Sequence, residues 1–167
     1  MISFVASRSL LSYAKCMRKA RRRFAVRTSP IHGRGVFALA AIPKHTRIIE
    51  YKGERISQEE ADNRYSKVHE NSPHTMLFEV NDQIVIDATR RGNSARWINH
   101  SCSPNCEIVD ENERIFIQSR RDIRPGDELT YDYNLQLGEP HTKAAKRFHA
   151  CYCGARHCRG TMVGIRE

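Results

Sequence analysis

The chain has 167 residues, 40% of them hydrophobic, with 28 Lys/Arg against 19 Asp/Glu and a formal charge of +9. That length suits one domain with a real core, and no run approaches the ~18–20 apolar residues of a membrane-spanning helix. Residues 1–49 hold 11 Lys/Arg and no acid, which leaves the rest with 17 basic and 19 acidic residues. A basic arm therefore sets the balance, which speaks against a nucleic-acid-binding surface spread over the whole domain.

Residues 1–25 read as a flexible, solvated arm rich in Arg, Lys and Ser. The same composition suits a weak nucleic-acid contact or an organelle presequence. The folded part is expected from Val26. Gly33 and Gly35 flank Arg34 in His32-Gly33-Arg34-Gly35, a pattern that suits a tight turn or a place where backbone approaches a ligand. Residues 46–51 read as a strand ended by Gly53. Ser57-Gln58-Glu59-Glu60 is a capping box, so a mostly polar helix is expected to about His69, stopped by Asn71-Ser72-Pro73. Residues 76–80 and 84–87 form a hairpin, residues 93–98 a short helix or turn, and residues 107–109 and 114–118 a second hairpin. Residues 128–133 are the last strand, with Tyr131 and Tyr133 on one face. Residues 135–150 form a polar connection of little regularity. The result is a mainly β fold with short helices.

Six cysteines are present, and Cys151, Cys153 and Cys158 fall in one short loop with Gly154 and Gly160 to bend it. Cys-x-Cys-x4-Cys is a poor disulfide framework and a good converging thiolate set, which favours a reducing compartment. Tetrahedral zinc needs a fourth ligand. Cys102 and Cys106 are the natural donors, with His149 and His157 as local competitors. The stretch 96–106, Arg-Trp-Ile-Asn-His-Ser-Cys-Ser-Pro-Asn-Cys, packs polar and metal-ligating side chains densely around a Ser-Pro-Asn turn. Asp87 and Glu128 read as structural hydrogen-bonding carboxylates.

Five motifs stand in a fixed order: His32-Gly33-Arg34-Gly35-Val36-Phe37, Glu50-Tyr51-Lys52-Gly53-Glu54, Asn99-His100-Ser101-Cys102-Ser103-Pro104-Asn105, the run 126–133, and the cysteine tail. Over residues 26–163 the chain resembles SET-domain protein lysine methyltransferases, and most closely the trithorax / mixed-lineage-leukaemia branch with its post-SET zinc loop. The resemblance implies small β-sheets in which the Asn-His stretch and the Tyr-bearing strand interlock as a pseudoknot. It divides the chain into the arm at 1–25, a SET domain at 26–137, and a connection plus zinc loop at 138–167.

The resemblance also implies S-adenosylmethionine as methyl donor and a lysine ε-amine as acceptor. By position, His32, Gly33, Arg34, Met76, Asn99, His100 and Tyr152 would contact the donor. Met76 stands where relatives carry Tyr, and Trp97 where they carry Phe. Tyr133 would be the catalytic tyrosine, with Tyr131 and Tyr51 lining the lysine channel. Cys102 would join Cys151, Cys153 and Cys158 on a structural Zn2+, and Asn105 would brace its own turn. In the family, Tyr at the position of Tyr131 limits the product to mono- or dimethyl-lysine, because the hydroxyl fills space that a methylated amine needs.

The chemistry asks little of acid–base groups. A free lysine has a pKa near ~10.4, and an apolar channel beside a sulfonium disfavours the ammonium. Alignment then dominates, and can be worth ~7–11 kcal/mol. The expected activity is thus methyl transfer to a basic, lysine-bearing segment of a histone or other protein, by a monomer that makes no membrane contact. Its site would be intracellular, nuclear in a eukaryote and cytoplasmic in a bacterium. The rival reading is a catalytically weak, zinc-stabilised module that binds chromatin or nucleic acid.

Overall fold

The structure, a computed structural model, describes residues 22–69, 75–137 and 141–165. In chain order the elements are β1 (Phe24–Thr28), β2 (Arg34–Ala38), β3 (Arg47–Glu50), β4 (Glu54–Ile56), α1 (Gln58–His69), β5 (Leu77–Asn81), β6 (Ile84–Asp87), a 3-10 turn (Ser94–Trp97), β7 (Asn99–His100), β8 (Cys106–Glu111), β9 (Arg114–Ser119), β10 (Glu128–Tyr131) and α2 (Lys143–Phe148). Most of the arm, Cys16 and the expected helix stop at 71–73 lie outside the described residues. Within them, no helix is long and apolar enough to cross a membrane.

Three small sheets share one core: β1-β2-β10-β7, β3-β9-β8 and β4-β6-β5. β9 is the central strand of its sheet, and Ile115, Phe116 and Ile117 are buried in succession rather than alternating, so both of its faces are covered there. Val36, Ile42, Ile98, Ile117, Ile123 and Leu129 are all at most 2% exposed. Each such side chain contributes about 1.5–3 kcal/mol on burial. This core joins β2, β9 and β10 to the start of β7, so the polar residues that follow Ile98 are held on a rigid base.

The strands and the first helix fall where the sequence pattern puts them, with local differences. β1 begins at Phe24, two residues before Val26. The Glu60 amide donates to Ser57 Oγ at 3.1 Å, as a cap requires. The Glu60 carboxylate, however, takes Arg64 Nε at 2.6 Å in place of reaching back to Ser57. The polar connection contains α2, capped by Thr142, whose hydroxyl accepts from the Ala145 amide at 3.1 Å. α2 buries no side chain, so it has no apolar stripe to read; its Ala and Lys content and the Thr cap are its only sequence signals.

The last strand is shorter than expected. β10 ends at Tyr131, and Asp132 and Tyr133 leave the ladder. The Tyr133 amide donates to the His100 ring instead of to a neighbouring strand, and Asn134 takes a left-handed φ of 46°. Asn105 also differs from its expected role. It is 5% exposed, and its amide spans β10, donating to Glu128 O at 2.7 Å and accepting from Thr130 N at 2.9 Å. The side chain thereby substitutes for a strand neighbour along β10, beside the parallel β7. The Asn-His stretch and the Tyr-bearing strand interlock through these bonds.

Candidate active site and cysteine cluster

β7 lies parallel to β10, pairing Asn99 with Thr130 and His100 with Tyr131. That register puts the Asn-His pair directly beside the two tyrosines. Asn99 Nδ2 shares its two protons among four acceptors: Glu128 Oε1 at 2.7 Å, Arg34 O at 2.9 Å, Ser29 Oγ at 3.1 Å and His32 O at 3.2 Å. Glu128 also accepts from the Ser29 hydroxyl at 2.8 Å. The loop before β2 is therefore tied by its carbonyls and by Ser29 to β7 and β10.

The two glycines of that loop serve different needs. Gly33 has φ +47°, which favours glycine. Gly35 has an ordinary φ, but a Cβ there would run into the Glu128 carboxylate. Both Asp87 and Glu128 are hydrogen-bonding carboxylates. Asp87 accepts from Tyr65 Oη at 2.9 Å, the Thr89 amide at 2.9 Å and Arg64 Nη1 at 3.1 Å.

One cleft of about 1070 Å³ gathers most of the expected site. His32, Gly33, Arg34, Met76 and Asn99 line it, and so do Tyr51, Tyr131 and Tyr133. His100 and Tyr152 do not: His100 is 3% exposed, and Tyr152 stands 75% exposed on the cysteine loop. Trp97 also lines the cleft. It packs against the core, and the Arg34 and Arg96 guanidiniums lie over its ring at 5.1 and 4.8 Å from the centroid.

The three tyrosines form a close set. The rings of Tyr131 and Tyr133 are 4.9 Å apart. Tyr51 Oη donates to Met76 O at 3.2 Å, and Tyr133 Oη to Ile98 O at 2.9 Å. Burial pushes all three phenols above their usual range, and neighbouring groups, Glu128 among them for Tyr133, add to the shift for Tyr131 and Tyr133. They are protonated at neutral pH and cannot act as bases there. Tyr51 and Tyr133 already give their protons to Met76 O and Ile98 O, which leaves their oxygens to orient a ligand by accepting from its N–H groups.

His100 connects this set to the cysteines. Its Nδ1 must accept, because the Tyr133 amide at 3.1 Å can only donate. The ring proton then sits on Nε2, 3.4 Å from Cys102 Sγ. Burial lowers the ring pKa to about 4, against the pull of Asp132 and with the help of Arg159, so the ring is neutral.

Cys102, Cys151, Cys153 and Cys158 bring their sulfurs within 4.8 Å of one another. Amides point at them: Cys102 N at Cys153 Sγ (3.5 Å), Arg159 N at Cys102 Sγ (3.4 Å) and Gly160 N at Cys158 Sγ (3.3 Å). Four converging thiols with N–H donors around them have the donor set of a closed tetrahedral zinc site. Cys106 does not join them. It is 1% exposed in the core, and burial pushes its thiol up to about 12.

The sequence pattern of the SET domain matches residues 33–134. The chain belongs to the SET-domain family. Among its relatives, the Schizosaccharomyces pombe protein named "Histone-lysine N-methyltransferase, H3 lysine-4 specific" is 43% identical over 139 residues, covering 80% of this chain and 14% of its own length. The human "Histone-lysine N-methyltransferase 2D" is 42% identical over 138 residues, 80% of this chain and 2% of its own length. The Drosophila melanogaster "Histone-lysine N-methyltransferase trr" is 39% identical over 163 residues, 95% of this chain and 6% of its own length. The SET-domain chain thus spans only a small part of these relatives.

Several residues that shape the site escaped sequence reasoning. Ser29 bonds Glu128, Asn99 and the amide of Ile31. Asp132, placed only within the last strand, and Arg159 pair through both terminal nitrogens at 2.6 and 2.8 Å. Their only sequence signal is opposite charge, which does not reveal pairing across 27 positions.

Proposed function

We propose that the chain is an S-adenosylmethionine-dependent protein-lysine N-methyltransferase. The observation that carries the proposal is the shared cleft: one cavity is lined by the His32–Arg34 backbone and Asn99 and also by three protonated tyrosines. Histone H3 is the first candidate substrate, since relatives bear the name of histone-lysine methyltransferases. Nuclear residence follows from that substrate in a eukaryote.

Donor contacts fall to His32, Gly33, Arg34, Met76 and Asn99 on the cleft wall. His100 acts by fixing Tyr133, and Tyr152 joins through the loop. Bound S-adenosylmethionine supplies an electrophilic methyl group; its carbon–sulfur bond breaks as the carbon–nitrogen bond forms. Tyr51, Tyr131 and Tyr133 exclude water from the lysine chain and orient the neutral amine through their hydroxyls. The amine loses its proton to solvent before attack, since the phenols are too weakly acidic to have been deprotonated into bases. Tyr131 restricts the product to mono- and dimethyl-lysine.

Zn2+ on Cys102, Cys151, Cys153 and Cys158 closes the tail onto the site and supplies no chemistry to the transfer. The catalytic unit is residues 26–137 and the connection with its loop is residues 138–167. A weak nucleic-acid contact through residues 1–25 and a monomeric state belong to the same proposal.

The test is radiolabelled donor with purified core histones, followed by mass-spectrometric site mapping, for the wild type and Tyr133→Phe. Label on lysine that is lost in the variant supports the reading. Calorimetric donor binding without transfer to any histone turns the decision toward the binding module.

A further inference from the structure

Tyr133 lies beyond the end of β10, so no sheet ladder fixes its backbone. Its amide is held by the His100 ring and its hydroxyl by Ile98 O. The residue between the two tyrosines, Asp132, points to the cysteine loop. There Arg159 Nη1 donates to Asp132 Oδ2 at 2.6 Å and Nη2 to Oδ1 at 2.8 Å. The Asn134 amide adds a third bond to Oδ1 at 3.0 Å, so Asp132 is tied across Tyr133 to Asn134 as well as to the cysteine loop.

The other end of Arg159 is equally committed. Its amide donates to Cys102 Sγ at 3.4 Å, while its buried Nε has no hydrogen-bond partner among the described residues. Among the described residues the guanidinium's hydrogen bonds all go to Asp132. One residue thus touches the metal-ligand cluster through its backbone and the tyrosine-bearing segment through its side chain. Two further main-chain bonds, Leu135 N to Met162 O and Gly164 N to Leu135 O, extend the same seam.

We infer that Arg159 and Asp132 are a positioning pair through which the cysteine loop sets the aim of Tyr133. The inference rests on the lysine-methyltransferase reading. A planar, bidentate fork fixes direction as well as distance, which a lysine point charge cannot do. Tyr133 needs direction because misplacing a reacting or orienting group by about 1 Å can cost ~100-fold in rate.

Arg159→Lys and Asp132→Asn separate aim from charge and from folding. Bound zinc per chain and the melting temperature are expected to stay at wild-type values in Arg159→Lys. Methylation of histone H3 should lose about tenfold in kcat, with KM for the donor changed less than about threefold. Hydrogen exchange at the Tyr133 amide should speed up by about tenfold, and this readout needs no activity. The double variant should be no slower than the worse single, since both remove one fork. Wild-type kcat and Tyr133 exchange in Arg159→Lys would overturn the inference, as would losses that add in the double variant or that track lost zinc. Failure of the wild type to transfer label to any histone would instead sink the methyltransferase reading, leaving Tyr133 exchange to decide whether the pair holds that segment.

Discussion

His100 and Cys102 face each other, with the ring Nε2 3.4 Å from the thiol sulfur, while the opposite ring nitrogen takes the Tyr133 amide. The candidate catalytic tyrosine and the cysteine cluster are thus one imidazole apart. A closed thiolate zinc site contributes folding free energy directly, so metal loss should be felt at the cleft.

Removal of zinc by a strong chelator is expected to release the segment from Cys151 to Val163 and with it Tyr152. Donor affinity should fall by at least about tenfold, a loss of ~1.4 kcal/mol, and amide exchange across residues 149–163 should accelerate. Calorimetry with and without chelator reads the first effect. Donor affinity that ignores the chelator would show that the two sites are independent.

Gly35→Ala tests the wall of the cleft beside the loop proposed to hold the donor. The added methyl meets the Glu128 carboxylate and Ser29 Cβ. Those are the groups that hold Asn99 and the His32–Arg34 carbonyls in place. Overpacking of this kind costs about 1–3 kcal/mol, and donor binding should weaken by roughly tenfold if the loop shifts. A variant that melts lower but binds donor with unchanged affinity would remove this loop from the donor site.

The sheets and α1 were legible because hydrophobic alternation, turn residues and a Ser cap are local signals. The cysteine cluster was legible because three ligands share one loop, although choosing Cys102 over Cys106 needed either a family resemblance or the burial of Cys106 in the core. What escaped depends on tertiary partners. Asn105 bridges β10 rather than its own turn because β10 runs past it. Tyr133 leaves the strand because His100 competes for its amide. α2 buries nothing and so leaves no periodic trace.

Tyr131 is 8% exposed, lines the cleft and packs against Tyr133. Removing one hydroxyl leaves that packing and frees space for a bulkier amine. Tyr131→Phe is therefore expected to move product from mono- and dimethyl-lysine toward trimethyl-lysine, with kcat for the first methylation within about threefold of wild type, since ring packing is unchanged. Mass spectrometry of a methylated H3 peptide reads the distribution. An unchanged product ratio would assign the restriction elsewhere in the cleft.

Asp87 gives the fold a pH dependence whose direction follows from its partners. Burial alone would raise its carboxyl, since the residue is 1% exposed. Hydrogen bonds from the Thr89 hydroxyl and amide, from Tyr65 and from Arg64 outweigh that effect and hold it below the ordinary carboxylate value. A lowered folded pKa means that the stabilisation is complete above the unfolded value of ~3.9 and fades as pH falls through the lower folded value. Asp87→Asn leaves Arg64 paired with Glu54 and Glu60 and removes the charged acceptor shared by Tyr65, Thr89 and Arg64. At pH 7 it should cost about 2–3 kcal/mol, or roughly 4–12 °C in melting temperature for a chain of this size. The gap between wild type and variant should begin to narrow below about pH 4, where the unfolded carboxylate takes up a proton that the folded one, held lower, still resists. A gap that stays constant from pH 7 to pH 2.5 would mean that shape at Asp87, and not its charge, joins β6 to α1.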